Sequence, residues 1–155
     1  MMRNNMRLEA IARVSGDTQH PALQGMVRFY QLPQGVLVQA EVNGLPNDTK
    51  VCAANIYAMH IHETGSCTGS VKQPFADTGG HYNPEGCPHP AHAGDLPPLF
   101  GNNGFAWAAV YTNRFRVSEV IGRAVIIHEN LDDFTSQPSG NPGIGIGCGV
   151  IEAVR

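Results

Sequence analysis

The sequence predicts an all-β domain, a sandwich or barrel of about eight short strands. Three observations point there. Only 15% of the 155 residues are charged, while Gly (18) and Pro (11) are plentiful, a turn-rich composition rather than a helical one. Polar and apolar residues alternate in short runs, the period-2 mark of a half-buried strand. Turn-forming clusters bound those runs. The length suits one domain with a real core, and no composition break divides it, so residues 1–155 read as a single domain.

The strands follow in order. "RLEAIARV" (7–14), "MVRFYQ" (26–31) and "VLVQAEV" (36–42) alternate, separated or closed by "SGD", "LPQG" and "NGLPND". They read as strands joined by short hairpins. "IYAMHIH" (56–62) is a fourth, "FAWAAVY" (105–111) a fifth, and "FRVSEVIGRAVIIH" (115–128) a pair. A last strand runs near 146–152. Two segments lack periodicity: 63–103, rich in Gly, Pro, His and Cys, and 129–145, "ENLDDFTSQPSGNPGIG". Loops this long are usually functional or disordered, and the histidines of the first favour function.

Several classes are excluded. Net charge is −3, the pI is near 6.1, and no basic run exists, so nucleic acid is not an expected partner. No apolar stretch approaches the ~20 residues that span a bilayer. The N-terminal stretch "MMRNNMRLEAIARV" lacks the apolar segment of a signal peptide, which points to the cytoplasm. "NDT" at 47–49 fits a glycosylation triplet, a pattern common by chance. "GIGIGCG" at 143–149 looks like a phosphate loop, but the chain ends too soon for the helix such a loop needs. The cysteines at 52, 67, 87 and 148 form no CxxC pair. They read as small buried hydrophobes or as a long-range disulfide.

The histidines carry the chemistry. In a strand, i and i+2 share a face, so His60 and His62 point together while Met59 and Ile61 point to the core. Two adjacent imidazoles repel if both are protonated; a metal binds both in neutral form. The alternative is a pair of surface histidines. His81, His89, His92 and Asp95 follow in "GGHYNPEGCPHPAHAGDLP". Three imidazoles and a carboxylate suit tetrahedral zinc. His128 stands at a strand end, opposite in face to Val125 and Ile127, where a lone histidine is ordinarily just solvated. His20, in a turn, is the bystander.

"HIHETGSC", "GGHYNP", "HAGDLP", "IGRAVIIHENLDD" and "GCGVI" occur in the order found in copper/zinc superoxide dismutases, and the chain resembles that family over roughly residues 7–153. The resemblance implies an eight-stranded Greek-key β-barrel, an immunoglobulin-like sandwich with two long functional loops. It implies copper at His60, His62, His81 and His128, and zinc at His81, His89, His92 and Asp95, with His81 shared. Asp132 matches the carboxylate that links a copper ligand to a zinc ligand. Cys67 and Cys148 match the family's disulfide. The implied reaction turns superoxide into dioxygen and hydrogen peroxide by one-electron cycling of copper. A homodimer and a copper donor are compatible partners, and the disulfide would also suit an extracytoplasmic or surface location.

Three departures stand out. The family's arginine beside copper corresponds to Gly145, although Ser139 matches a threonine lining the same channel. Loop 129–145 contains no Lys or Arg but has Glu129, Asp132 and Asp133, so steering of the anionic substrate is expected to be weak. Lys72, Arg114, Arg116 or Arg123 could fold towards the channel and replace the charge. Only "PA" separates His89 from His92, which bears on zinc geometry, and Cys87 could serve as a spare ligand. Cys52 is expected in the core. These departures leave an alternative function, a non-catalytic copper/zinc-binding protein that buffers or delivers metal.

Overall fold

The computed structural model describes residues 6–155; the first residues of the N-terminal stretch, 1–5, lie outside it. Its strands are β1 (Arg7–Gly16), β2 (Gln24–Leu32), β3 (Gly35–Asn43), β4 (Ile56–Tyr57), β5 (Met59–His62), β6 (Leu99–Phe100), β7 (Ala106–Thr112), β8 (Ala124–His128) and β9 (Gly145–Ala153). Seven form one antiparallel sheet in the order β5-β8-β9-β1-β2-β3-β7, and β4 pairs with β6. The sheet curls, and its non-sequential neighbours give the Greek-key β-barrel that the sequence predicts.

Alternation builds the core. Ala10, Ala12 and Val14 of β1, and Val36, Val38, Ala40 and Val42 of β3, are all buried and belong to one cluster. Val125 and Ile127 of β8 join it, as do Met59 and Ile61 of β5. No helix among the described residues is long and apolar enough to cross a membrane.

Three elements differ from the sequence expectation. The strand predicted over 56–62 is interrupted at Ala58, whose N–H donates to Asn130 O (2.9 Å) and whose carbonyl accepts from His128 N (2.9 Å). β4 therefore pairs with β6, a two-residue strand the sequence does not signal, while β5 pairs with β8. The first strand expected within 115–128 is instead a short helix, α1 (Val117–Val120), with Val117 and Val120 buried on one side. Phe115 and Val117 alternate as in a strand, but the spacing of three from Val117 to Val120 fits one face only in a helix. Cys52 is exposed, not in the core; it sits in a turn with φ of 68°.

Cys67 and Cys148 are disulfide-bonded across a sequence separation of 81. The bond ties loop 63–98 to β9 and packs with Ala124, Ile126 and Phe75 in a second, smaller cluster on the outer face of β8. That face is where the histidines lie.

Candidate metal centre

β5 aims His60 and His62 away from the core residues Met59 and Ile61, as the pleat requires. They are nonetheless buried, His60 completely, because two loops fold over them. Bridges from His62 to His81 and from His60 to Asp95 lay the first loop along β5. A register irregularity between Ile127 and His128 turns the end of β8 towards the same space. One set of donors, His60, His62, His81 and His128, lies within 4.8 Å of one another; a second comprises His60, His81, His89 and Asp95.

Hydrogen bonds decide which nitrogen of each ring faces inward. His62 Nδ1–H donates to Gly79 O (2.9 Å) and His128 Nδ1–H to Gly143 O (3.2 Å). Their Nε2 atoms are then both lone-pair acceptors, yet they face each other at 3.4 Å. His60 Nε2–H and His89 Nε2–H donate to the two oxygens of Asp132, each at 2.8 Å. Buried His60 Nδ1, His81 Nε2 and His89 Nδ1 have no hydrogen-bond partner. Buried polar atoms are rarely left so. Converging lone pairs and orphaned nitrogens are what a cation would satisfy, so the residues present fit copper and zinc.

Around Asp95 the spacing is also that of ligands. His81 Nδ1 lies 2.8 Å from Asp95 Oδ1, and His89 Nδ1 lies 3.1 Å from Oδ2. His92 Nδ1 is 3.1 Å from His81 Nδ1 and 3.4 Å from Asp95 Oδ2. Donors ~2.0–2.1 Å from a tetrahedral ion stand ~3.3 Å apart. His60 lies within reach of this second set, but its Nε2 is occupied by the Asp132 carboxylate; His92, by contrast, stands beside the set and not within it. Cys87 belongs to neither set. Its backbone N–H and C=O instead bond the Asn83 side chain.

Burial holds the rings neutral. It lowers the pKa of His60 to about 4 and that of His62 to about 3, with the neighbouring His81 adding to both. Burial, then His60 and His62, lowers His128 well below the ordinary range; burial also lowers His92. Burial pushes Asp132 and Asp95 up, but hydrogen bonds from His60 and His89, and from His81, outweigh it and hold both low. Neutral imidazoles beside ionised carboxylates are the protonation states in which these groups bind cations.

A cavity of about 130 Å³ opens beside His62 and His128. Gln73, Phe75, Thr78, Ile126, Ile144 and Gly145 are among its lining, which contains no Lys, Arg, Asp or Glu. Ser139 is half-buried on the loop that leads into β9 at Gly145, apart from that lining. The four candidate cations are elsewhere. Lys72 is exposed. Arg123 lies over the Tyr82 ring at 4.0 Å and donates to Glu63 O. Arg116 caps α1. Arg114 donates to Pro90 O and His92 O. His20 pairs with Asp17 through Nδ1 at 2.6 Å, outside both donor sets.

One residue important to this geometry escapes sequence reasoning. Gly140 has φ of +83°, and a Cβ there would stand 2.0 Å from Asp132 Oδ1 and 2.7 Å from His89 Nε2. Only glycine lets the loop pass so close to that pair. The sequence offers no signal beyond a Gly in a loop.

The family model for copper/zinc superoxide dismutase matches residues 23–151. Among similar proteins, the Cu-Zn superoxide dismutase of Deinococcus radiodurans is 34% identical over 149 residues, covering 84% of this chain and 78% of that protein. That of Legionella pneumophila is 32% identical over 140 residues, covering 85% and 80%. The extracellular Cu-Zn superoxide dismutase of Rattus norvegicus is 32% identical over 142 residues, covering 84% of this chain and 55% of that protein.

Proposed function

The chain belongs to the copper/zinc superoxide dismutase family, and on that premise we propose that His60, His62, His81 and His128 hold copper while His81, His89, His92 and Asp95 hold zinc. Its substrate is superoxide and its metals are copper and zinc. The observation that carries the assignment is the approach of His62 Nε2 to His128 Nε2 at 3.4 Å, with orphaned His60 Nδ1 and His81 Nε2 in the same set.

Bound copper supplies one-electron cycling between two superoxide molecules, one oxidised to dioxygen and one reduced to peroxide. The protein's part is positional. Gly79 O and Gly143 O fix the tautomers of His62 and His128, so each offers Nε2. Asp132 fixes His60 and His89 together, so each offers Nδ1. His81 is the proton carrier in this reading: Nε2 takes up a proton for the departing peroxide while Nδ1 stays beside Asp95 and His92. Electrostatic guidance is weak, because the cavity lining carries no charged side chain.

That uncharged lining also favours a second reading, a protein that binds both metals for buffering or delivery without catalysis. Metal analysis with pulse-radiolysis dismutation on the fully metallated protein separates the two. A rate far above the uncatalysed reaction supports the enzyme; two metals bound with no acceleration supports the second reading. A second copy of the chain and a copper donor belong to the proposal as partners, checked by sedimentation and by loading from a Cu(I) carrier. The Cys67–Cys148 bond favours an oxidising compartment over the cytoplasm.

A further inference from the structure

We infer that Arg114, on the connection between β7 and α1, is a positioning residue that holds the segment presenting His92, so that zinc affinity depends on it. The inference rests on the assignment of zinc to His81, His89, His92 and Asp95. Only Pro90 and Ala91 separate His89 from His92. Proline has no N–H and alanine no polar side chain, so the short link has little of its own to fix its orientation. Within the loop, Ala91 N donates to Pro88 O (2.8 Å), His92 N to Asp95 Oδ2 (2.9 Å) and Asp95 N to His92 O (3.1 Å).

From outside the loop, Gln137 holds the His89 end, its side chain accepting from His89 N (2.9 Å) and donating to His89 O (2.7 Å), and Arg114 holds the His92 end. Arg114 Nη1 donates to Pro90 O at 2.9 Å and to His92 O at 3.1 Å. A single guanidinium nitrogen thus spends both its protons on carbonyls that flank the ligand's backbone. Ala93 and Leu96 pack the following residues into the core, but the outer side of the link is not packed in this way. A hollow of about 360 Å³ lies beside Arg114, lined also by Pro90, Leu96, Tyr111 and Phe134. Without the arginine, the segment has room to shift, and His92 Nδ1 would leave its place 3.1 Å from His81 Nδ1. A ligand moved by a fraction of an ångström loses metal affinity.

The sign of the effect separates this role from a simple charge effect. A cation near a zinc site repels the ion, so neutralising it should tighten binding by electrostatics alone. Loss of positioning should weaken binding. The test uses the full-length copper-loaded chain. Zinc affinity is read by chelator competition, ligand geometry by the visible spectrum of Co(II) in the zinc site, and fold by the unfolding temperature of metal-free protein. Arg114→Gln is expected to weaken zinc about 10–100-fold, the usual cost of losing an outer support. It should alter the Co(II) spectrum and leave metal-free unfolding nearly unchanged. Arg114→Lys, which keeps the charge and N–H donors, should recover part of the affinity. Arg28→Gln, at an arginine paired with Glu41 across β2 and β3, is the charge control and should change little. Zinc bound by Arg114→Gln as tightly as by wild type, or tighter, would overturn the inference. So would a loss of metal-free stability large enough to account for the weakening. If His92→Ala leaves the wild-type Co(II) spectrum intact, the zinc assignment itself fails, and the inference with it.

Discussion

His62 and His128 face each other through unprotonated nitrogens, Nε2 to Nε2 at 3.4 Å, with the proton of each ring committed to a backbone carbonyl on the far side. Two acceptors held this close in a buried site have no favourable contact until a cation or a proton arrives between them.

The metal-free protein is therefore expected to be acid-sensitive. The folded-state pKa values of His60 and His62, about 4 and about 3, lie below the ordinary 6.5. A histidine depressed in this way binds fewer protons folded than unfolded. Its contribution is fully present above pH 6.5 and is lost progressively as pH falls towards the folded value. Between pH 7 and 5, each ring should cost about 1–2 kcal/mol. Urea unfolding of metal-free protein at the two pH values measures it. An unchanged midpoint would mean that the rings escape burial when the metals are absent.

His81 is the residue through which the two metals should be lost together. Its Nδ1 lies with Asp95 and His92, and its Nε2 is a buried orphan. His81→Ala is expected to lower copper and zinc content in parallel, while His20→Ala, whose ring pairs with Asp17, should change neither. Elemental analysis decides it: copper lost with zinc binding fully intact would show that the ring is not shared.

The Cys67–Cys148 bond spans 81 positions. A closed loop of that size is worth ~4–5 kcal/mol in the chain-entropy model. Cys67→Ser should lower the unfolding temperature by roughly 8–20 °C, since ~1 kcal/mol moves a domain of this size by about 2–4 °C. Cys52→Ser, at an exposed thiol, should move it little. Calorimetry under non-reducing conditions makes the comparison.

Gly145 lines the approach to His62 and His128. Because no charged side chain lines that approach, the dismutation rate of the wild type should depend little on ionic strength. Gly145→Arg should raise the second-order rate constant and introduce inhibition by salt. The substitution is tight: a Cβ at 145 would stand 3.0 Å from Ile126 Cγ2 and 3.2 Å from Phe75 Cδ2. Pairing it with Phe75→Ala makes room for the new side chain. Pulse radiolysis across ionic strengths, at matched metal loading, is the measurement; a wild type steeply slowed by salt would reveal a steering cation elsewhere.

The legible parts of the molecule were those with a side-chain signal. The period-2 runs in β1, β3 and β5 announce buried faces, and HxH on a pleat announces two rings on one side. The Asp95 cluster announces itself by residue type. The helix α1 is hard to read, because the alternation of Phe115 and Val117 masks the helical spacing of Val117 and Val120, and four residues are too few to establish a period. β6, with two residues, is too short for any pattern. The contacts that orient the rings were also hidden, since Gly79 O and Gly143 O are backbone atoms common to every residue. The route of Arg114 to the His92 segment depends on how β7 and the loop meet, which no local stretch encodes.

The carboxylate of Asp132 touches His60 and His89 through separate oxygens, so under the proposed assignment, copper at His60 and zinc at His89, the two ions would be thermodynamic partners. An ion that orders His89 also steadies Asp132, and thereby His60, before the second ion arrives. Linkage makes that influence symmetric: whatever factor zinc adds to the affinity for copper, copper must add to the affinity for zinc. Filling of the two positions should therefore be cooperative, with half-loaded molecules scarcer than independent sites would give.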